Sequence, residues 1–346
     1  MKIERIDIQD YSLFPEEAIS ALNHFLLQKK YTRAVVVCDE NTAHYCLPAL
    51  NLEIPYITTI VPPGEQHKNI KTCADIWVHW LEHHLDRKVI VVLLGGGVTG
   101  DMGGFAAATF KRGIDFVHMP TSLMAMTDSC IGGKLGIDLE YVKNAVGLFK
   151  NPKAIFVNLD FLNTLPTLDM KNGLVEITKH ALIAGKNLFL HLNDNYSGGR
   201  PEISPELLKQ SILIKKSFVE RDPFESNVRK ALNFGHTIGH AIESFFLKQN
   251  APISHGEAVC LGMIAECKLS HQLDLIDLSE LDMILAFLQK IYPENNYQFT
   301  FENIESFLIN DKKNEGGNIL FSLLKGLGGY SINKIVPMEM VREIFV

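Results

Sequence analysis

The chain has 346 residues, of which 47% are hydrophobic and 21% are charged. This length suits two domains better than one core, and the composition is that of an ordinary globular protein. The formal net charge of −7 argues against a nucleic acid or an anionic membrane surface as a partner, because both require a basic face. The most apolar run, Val89–Leu94, has about a third of the length that a membrane span needs.

The N-terminus, MKIERIDIQD, mixes charged and apolar residues and lacks the apolar run of a secretory signal. The six cysteines form no CxxC pair. We therefore expect reduced thiols and a cytoplasmic location.

The first half of the chain alternates strand-like and helix-like segments. Ile3–Ile8 alternates apolar and polar residues, and apolar runs of strand length occur at Ala34–Cys38, Ile54–Val61, Val89–Leu94, Phe116–Met119 and Ala154–Val157. A helical pattern lies between two of them, at Asn69–His84, with its apolar residues on one face. This alternation predicts an α/β domain with a mostly parallel, Rossmann-like sheet that is covered on both sides.

The pattern changes after about Pro166, where long amphipathic segments replace the strand-like runs. These segments are Met170–Ala184, Pro205–Glu220, Thr237–Lys248, Gly256–Leu273 and Ser279–Tyr292. The sequence therefore predicts an α/β domain over residues 1–165 and an all-α domain over residues 166–346. A crevice between two domains is the usual place for a ligand.

A glycine-rich turn is the strongest local signal of the first half. In LLGGGVTGDMGG, the residues Gly95, Gly97 and Gly100 satisfy G-x-G-x-x-G between a predicted strand and a predicted helix. Such a turn lets a diphosphate approach the backbone and the amide donors of the helix start. A tight turn without a ligand is the alternative. The turn follows a middle strand and not the first one, which argues against a standard dinucleotide fold.

Polar residues follow two other predicted strands. Asp39 ends a strand, and its carboxylate either holds a ribose hydroxyl pair or caps a helix. Glu65 and Lys68, in the loop PPGEQHK, either grip sugar or phosphate groups or form a solvated helix start.

Two histidines in the second half, His236 and His240, stand four residues apart and share a helix face. That spacing alone is more often structural than metal-binding. Other candidate ligands are Glu176, His255 and Glu257, and a catalytic zinc site typically takes three protein ligands. Cations accompany these residues, namely Lys179, Lys215, Arg229, Lys312 and Lys313. A metal site ringed by cations fits a substrate that carries carboxylate or phosphate.

Taken together, the motifs resemble the 3-dehydroquinate synthases, within the wider sugar phosphate cyclase group. The matching segments are GEQHK, GGGVTGDMGGFAA, FKRGIDFVHMPTSL, TDSCIGGK, KNAVGLF, GLVEITKHALI, RKALNFGHTIGHAIE, SHGEAV and DKKN. They occur in the family's order and cover nearly the whole chain. The resemblance implies an NAD-binding α/β domain joined to a helical domain that binds zinc or cobalt, in a cytoplasmic homodimer.

The resemblance also implies roles for individual residues. The metal ligands fall on Glu176, His236 and His255, so His240 becomes a substrate-site residue. The substrate pattern falls on Asp128, Lys134, Asn144, Lys179, Lys215, Glu225, Arg229, Asn233, His240, Lys312 and Lys313. Arg112 matches an arginine that the family presents across the dimer interface to the substrate phosphate. The NAD pattern falls on Asp39, Glu65, Lys68, Gly96, Gly97, Asp101, Thr121, Ser122 and Lys143.

The implied activity is that of a carbon–oxygen lyase of the shikimate pathway, in aromatic amino acid biosynthesis. DAHP, a seven-carbon 2-keto sugar acid phosphate, becomes 3-dehydroquinate and phosphate through transient oxidation by NAD, β-elimination, reduction and an intramolecular aldol step. Leu135 and Asp138 depart from the family pattern, which has Thr and Asn there. The alternatives are a cyclase for sedoheptulose 7-phosphate or glucose 6-phosphate, a metal-dependent polyol or glycerol phosphate dehydrogenase, and a catalytically inactive binding protein.

Overall fold

A computed structural model describes residues 5–15, 17–140, 142–293, 297–309 and 319–345. The chain forms two compact units, Met1–Asp169 and Met170–Val346. The division lies inside the first turn of helix α5 (Thr167–Ala184), whereas the sequence analysis places it between residues 165 and 166. Among the described helices, none combines the length and apolar character that crossing a bilayer requires.

The N-terminal unit contains a seven-stranded sheet in the order β1-β2-β9-β6-β5-β3-β4. Its strands are β1 (Ile6–Ile8), β2 (Tyr11–Phe14), β3 (Ala34–Asp39), β4 (Tyr56–Val61), β5 (Ile90–Gly95), β6 (Asp115–Pro120) and β9 (Ala154–Phe156). Only the β1–β2 pair is antiparallel among these described strands. The predicted α/β class with a mostly parallel sheet is therefore confirmed, although β2 was not predicted.

The central strands are apolar along their whole length because they are covered on both faces. All residues of β5 and most of β3 are buried. The covering helices are α1 (Ala18–Lys29), α3 (Ile70–Glu82) and α4 (Gly97–Thr109), and α2 (Glu40–Tyr45) follows β3. Because β3 and β5 pair in parallel, their carboxyl ends share one edge of the sheet. Asp39 and the glycine turn therefore both lie at that edge.

A separate hairpin follows a single π-helical turn at Ala125–Ser129. Its strands, β7 (Lys134–Leu139) and β8 (Val142–Phe149), pair antiparallel. The sequence analysis did not predict this hairpin. It matters for the site because it carries Lys134, Lys143 and Asn144.

The C-terminal unit is mainly helical, as predicted. Its helices are α5 (Thr167–Ala184), α6 (Lys186–Asn195), α7 (Pro205–Arg221), α8 (His236–Lys248), α9 (His255–Gln272), α10 (Leu278–Ile291), α11 (Phe301–Ile309) and α12 (Met338–Glu343). It also contains an antiparallel hairpin of β10 (Leu320–Leu324) and β11 (Tyr330–Ile335), which the all-α prediction missed. β10 is short and mostly buried, so its apolar run does not differ from that of a buried helix, whereas β11 has no buried residue.

Helices α8 and α9 approach each other closely through glycines. A Cβ on Gly262 of α9 would lie 1.9 Å from the carbonyl oxygen of Gly235, and one on Gly239 would lie 2.9 Å from the carbonyl oxygen of Ala258. Side chains at these positions would push the helices apart. The close approach brings the first residues of both helices, His236 and His255, into one cluster.

Candidate functional site

Three of the predicted site residues converge in the C-terminal unit. Glu176 lies in the middle of α5, and His236 and His255 are the first residues of α8 and α9. One ligand atom from each lies within 4.8 Å of the others. The Nε2 atoms of His236 and His255 stand 3.6 and 3.7 Å from Oε1 of Glu176. Residues that are far apart in sequence therefore form one cluster, which we call the Glu-His-His cluster.

The second nitrogen of each imidazole is occupied. Nδ1 of His236 donates to the carbonyl oxygen of Phe234 at 3.1 Å, since a carbonyl can only accept. Nδ1 of His255 lies 3.5 Å from Oε2 of Glu243. These contacts fix the ring orientations and present both Nε2 atoms to Glu176, as outer partners of metal-bound histidines do. Two nitrogens and one carboxylate form a donor set that fits zinc or cobalt.

The carboxylates around His255 create a negative electrostatic environment. Burial opposes protonation of His255, but hydrogen bonds to Glu176 and Glu243 raise its pKa to about 9. The negative charge that favours a proton here also favours a divalent cation. The two compete for the same nitrogen.

The two remaining candidate ligands have other surroundings. The ring of His240 lies one helical turn from that of His236, at a centroid distance of 5.2 Å. It also belongs to a second possible group with Glu243 and His255, which would use the opposite nitrogen of His255. Glu257 caps α9: Oε2 accepts from the backbone N–H of Ser254 and Oε1 from the hydroxyl of Tyr297. Among the described residues, Glu257 belongs to no group with metal-binding spacing.

Three of the predicted cations are buried in the C-terminal unit. Lys179, one turn after Glu176, forms an ion pair with its carboxylate, and both side chains are about 1% exposed. Arg229 is equally buried and donates to the carbonyl oxygen of Pro223 at 2.6 Å. Lys215 is buried on α7, which packs against the 3-10 segment that carries Arg229. Fully buried cations are costly unless they meet anions, which is consistent with a site for an anionic ligand.

A loop built on Asp222 presents two more predicted residues. The Asp222 carboxylate accepts from the backbone N–H groups of Ser226, Asn227 and Arg229 at 3.0, 2.6 and 3.0 Å. Burial would raise its pKa, but these amides hold the pKa below its usual value. The loop gives Glu225 a positive φ of 58°, and Oε1 of Glu225 accepts from Asn233 at 2.8 Å.

The sequence analysis missed Asp222. The available signal was the run DPFESN, because aspartate followed by polar residues favours turns that are bonded to its own side chain.

In the N-terminal unit, the glycine turn is tightly packed by small side chains. Gly96 caps α4 without a side chain of its own. A Cβ on Gly96 would lie 3.3 Å from Oγ of Ser122, and one on Gly97 would lie 3.1 Å from Oγ of Ser129. The backbone N–H of Thr121 donates to the carbonyl oxygen of Gly95 at 3.0 Å. The predicted residues Gly96, Gly97 and Ser122 therefore lie together at one helix start, where amide donors suit a diphosphate.

Lys68 is the centre of a polar network in this unit. Its buried ammonium donates to Oδ2 of Asp101 at 2.8 Å and to Oδ1 of Asn144 at 2.7 Å. Glu65 lies 3.8 Å from Lys68 and 3.9 Å from Lys143. Burial opposes the charged form, but Asp101 and Glu65 raise the pKa of Lys68. The network joins four residues of the predicted NAD pattern to Asn144 of the substrate pattern.

Asp39 caps α2 through a capping box. Its Oδ1 accepts from the backbone N–H of Thr42 at 2.8 Å, and the Thr42 hydroxyl accepts from the backbone N–H of Asp39 at 2.9 Å. Both interpretations of the sequence remain compatible with this position, since a carboxylate has further acceptor sites. A role on a ribose stays a prediction.

The two departures from the family pattern have different positions. The Leu135 side chain is buried in the core of the N-terminal unit, where a Cβ on Gly104 would lie 2.4 Å from its Cδ2. Asp138 accepts from the backbone N–H of Asn144 at 2.7 Å, and its own N–H donates to the carbonyl oxygen of Lys68. Leu135 therefore fills a core position, whereas Asp138 belongs to the Lys68 network.

The remaining predicted site residues belong neither to the Glu-His-His cluster nor to the Lys68 network. Arg112 and Lys134 are exposed, and Asp128 lies in the π-helical turn. Lys312 and Lys313 lie outside the described residues. Their roles stay predictions.

Comparison with known proteins assigns the family. Residues 58–172 match the family described as 3-dehydroquinate synthase N-terminal, and residues 173–314 match 3-dehydroquinate synthase C-terminal. The 3-dehydroquinate synthase of Parabacteroides distasonis is 38% identical over 335 residues, which cover 94% of this chain and 93% of that relative. The 3-dehydroquinate synthase of Clostridium acetobutylicum is 36% identical and covers 97% and 96%.

Solved structures agree in fold. A 2-deoxy-scyllo-inosose synthase complexed with carbaglucose-6-phosphate, NAD⁺ and Co²⁺ has a TM-score of 0.87 at 24% identity, covering 99% of both chains. A 2-epi-5-epi-valiolone synthase from Streptomyces hygroscopicus, with NAD⁺ and Zn²⁺ bound, also has a TM-score of 0.87, at 22% identity, covering 99% of this chain and 97% of that one. A probable glycerol dehydrogenase from Sinorhizobium meliloti has a TM-score of 0.57 at 16% identity, covering 95% and 93%. Because the matched segments span most of the chain and the relatives are more than a third identical over nearly their whole length, the chain belongs to the 3-dehydroquinate synthase family.

Proposed function

We propose that the protein converts DAHP into 3-dehydroquinate and phosphate, with NAD and a divalent metal ion, zinc or cobalt, as cofactors. The observation that carries this proposal is the Glu-His-His cluster, with the buried Lys179 paired to Glu176, in a chain of the 3-dehydroquinate synthase family. A lyase that eliminates phosphate from a sugar acid needs a metal to polarise an oxygen and cations to hold two anionic groups.

Support for NAD comes from the glycine turn and the Lys68 network. The start of α4 offers backbone amides without side chains in the way, and Glu65, Lys68 and Lys143 offer groups for a ribose or a phosphate. Two solved relatives of the same fold hold NAD⁺. Bound NAD would supply a reversible hydride acceptor: the hydride would come from the carbon that carries a substrate hydroxyl, the hydroxyl would lose a proton, and the later return of the hydride would leave no net NADH.

The metal would be held by Glu176, His236 and His255. When bound, it supplies a Lewis acid that lowers the pKa of the substrate hydroxyl being oxidised. The carbonyl of Phe234 and the carboxylate of Glu243 keep the two imidazoles directed at that position. Lys179, which contacts Glu176, donates to substrate oxygens at the same place.

The substrate's charged ends are assigned to two groups of cations. Arg229 and Lys215 hold the carboxylate, where the planar guanidinium provides a two-point contact. Lys134, Asn144 and Arg112 hold the phosphate. His240 lies on the same face of α8 as His236. We assign it the transfer of a proton at the substrate's sugar ring, because an imidazole can both donate and accept a proton.

Two further parts of the proposal concern assembly and location. We infer a homodimer in which the exposed Arg112 serves the partner's substrate site. Mixing an Arg112→Ala chain with a chain inactivated at His236 should then restore part of the activity, and a mixture as inactive as its components would oppose a shared site. A cytoplasmic location is consistent with the six cysteines, which are all buried thiols.

A related cyclase is the second candidate, because the two solved structures with a TM-score of 0.87 are named as synthases of other products, 2-deoxy-scyllo-inosose and 2-epi-5-epi-valiolone. Arg229 and Lys215 favour a substrate that carries a carboxylate, which sedoheptulose 7-phosphate and glucose 6-phosphate lack. A polyol or glycerol phosphate dehydrogenase of similar fold would accumulate NADH, whereas a cyclase would not.

The deciding experiment incubates metal-loaded protein with NAD and DAHP, and measures phosphate and 3-dehydroquinate together. Parallel reactions contain sedoheptulose 7-phosphate or glucose 6-phosphate. We expect equal amounts of phosphate and 3-dehydroquinate from DAHP, without net NADH. Phosphate release from another sugar alone, or accumulation of NADH, would contradict the proposal.

A further inference from the structure

The residue at the N-cap position of helix α8 has no side chain that could cap the helix. Gly235 precedes the helix with a φ of 79°, and a Cβ there would lie 2.4 Å from Cγ of Met263. Gly262 of α9 is packed against the carbonyl oxygen of the same glycine. The polar side chain that normally accepts from the first N–H groups of a helix has no space at this position.

Glu266 of α9 takes over this role from the neighbouring helix. Its side chain is fully buried, with an exposed fraction of 0%. Oε2 accepts from the backbone N–H of Gly235 at 2.6 Å, and Oε1 accepts from the backbone N–H of Ile238 at 3.2 Å. These are the two bonds of a capping box, which usually come from two side chains of the same helix. Here one carboxylate makes both.

The buried charge is stabilised at this place. Burying an isolated carboxylate is costly, but two amide donors and the positive end of a helix offset the cost. The sequence gives no hint of this arrangement, because Glu266 follows Gly235 by 31 residues. On the sequence alone, Glu266 belongs to an ordinary amphipathic helix.

His236 lies between the two bonded amides. It is the first residue of α8. The backbone N–H groups of Gly235, just before it, and of Ile238, two residues after it, both donate to Glu266. The carbonyl oxygen of Phe234 accepts a hydrogen bond from Nδ1 of His236, and Phe234 directly precedes Gly235. The backbone from residue 234 to residue 238 is thereby held against α9, the helix that begins with His255.

We infer that Glu266 is a positioning residue for the metal site, and that it sets the place of the His236 imidazole relative to His255 and Glu176. The inference rests on the proposed metal-dependent function. Glu266 acts through the backbone of α8 and does not contact the ion. Loss of an outer partner of a metal ligand typically weakens metal binding about 10- to 100-fold.

A purely structural role would predict something different. Glutamine has the shape of glutamate but turns one acceptor into a donor, which then faces a backbone N–H. If Glu266 served stability alone, Glu266→Gln would lower the melting temperature and leave the geometry and affinity of the metal site unchanged. The test must therefore measure the metal as well as the fold.

Ser270→Ala is the matched control. Ser270 lies one turn further along α9 and is fully buried. Its hydroxyl donates to the carbonyl oxygen of Glu266 at 2.8 Å and accepts from the backbone N–H of Leu324. Its removal disturbs a buried hydrogen bond of the same helix while leaving the Glu266 carboxylate in place.

The experiment uses the full chain and measures three quantities for each protein. They are the Zn²⁺ dissociation constant in competition with a chromophoric chelator, the visible spectrum of the Co²⁺ form, and the melting temperature in excess chelator. We expect Glu266→Gln to bind Zn²⁺ about 10- to 100-fold more weakly and to shift the Co²⁺ bands. We expect Ser270→Ala to bind within about twofold of wild type despite a lower melting temperature.

Each outcome bears on a separate claim. Wild-type affinity and an unchanged Co²⁺ spectrum in Glu266→Gln would overturn this inference alone. If the wild-type protein bound no Zn²⁺, the proposed metal site would fail and this inference with it. Should Glu266→Gln not fold, Glu266→Asp keeps the charge but shortens its reach, and the same two metal measurements then decide.

Discussion

The two units place their candidate functional groups in different ways. In the C-terminal unit, the important atoms belong to side chains, and the two histidines are first residues of helices held by Phe234, Glu243 and Glu266. In the N-terminal unit, the important atoms at the glycine turn belong to the backbone, and its side chains are small. A metal needs side-chain ligands in one fixed geometry, whereas a diphosphate accepts a row of amides.

This difference predicts unequal sensitivity to substitution. If the proposed metal site is right, a single change in the Glu-His-His cluster would remove one of its three ligands. A change beside the glycine turn would remove one of several proposed contacts with a large cofactor. The variants below test that contrast, beginning with the largest expected effect.

His255→Ala should abolish stoichiometric zinc binding and reduce turnover by at least about a thousandfold. NAD binding should remain near wild type, because the glycine turn belongs to the other unit. Zinc content by elemental analysis, turnover, and NAD titration measure the three effects. His271→Ala is the control, since His271 lies on the same helix but bonds to the carbonyl of Ile276. Wild-type zinc content in His255→Ala would remove the ligand assignment.

Arg229→Lys should lower kcat/KM for DAHP on the order of a hundredfold, with zinc and NAD binding retained. A lysine keeps the charge but loses the planar fork, and it also loses the bond to the carbonyl of Pro223. Lys230→Met, at the adjacent position, should remain within about twofold, because the contact between the Lys230 ammonium and Oδ1 of Asn333 is long, at 3.4 Å, and exposed to solvent. Equal losses in both variants would argue against a specific role for Arg229.

The sequence could predict the glycine turn because its signal is local. Strand, turn and helix follow one another within LLGGGVTGDMGG, and each can be read from neighbouring residues. The Glu-His-His cluster has no such signal, since its members are separated by 60 and 19 residues (176 to 236, and 236 to 255). Spacing alone favoured a structural role for the His236–His240 pair. Only the family resemblance separated the two histidines.

Other features could not be predicted for physical reasons. Asp222 and Glu266 bond to backbone amides, and a sequence does not show which amides a carboxylate will meet. Leu135 departs from the family pattern, and the sequence does not show that its side chain belongs to the core. The two short hairpins depend on contacts with the rest of their units.

Lys68→Met should weaken NAD binding about tenfold and leave zinc content unchanged. The substitution removes the cation that joins Asp101 and Asn144 and leaves the partly buried Asp101 carboxylate without it. Isothermal titration with NAD measures the affinity. The exposed Lys71 provides the control, and Lys71→Met should match wild type. An NAD affinity equal to wild type in Lys68→Met would mean that the network serves only the fold.

Asp222→Asn should lower the free energy of unfolding by about 1–2 kcal/mol near pH 7, through weaker hydrogen bonds to the amides of Ser226, Asn227 and Arg229. The folded pKa of Asp222 is depressed. Its stabilisation is therefore complete above the unfolded value of about 3.9 and is lost as the pH falls through the lower folded value.

The difference between wild type and Asp222→Asn should thus stay constant between about pH 7 and 5 and shrink below about pH 4 in urea unfolding. Asp282→Asn, at an exposed position of α10, should differ little from wild type throughout. A difference that grew on acidification would mean that the carboxylate is not stabilised by these amides. Because the Asp222 loop holds the backbone of Arg229, kcat/KM should fall together with the free energy of unfolding at neutral pH. This loop would then depend on a backbone anchor in the same way as the helix starts of the Glu-His-His cluster.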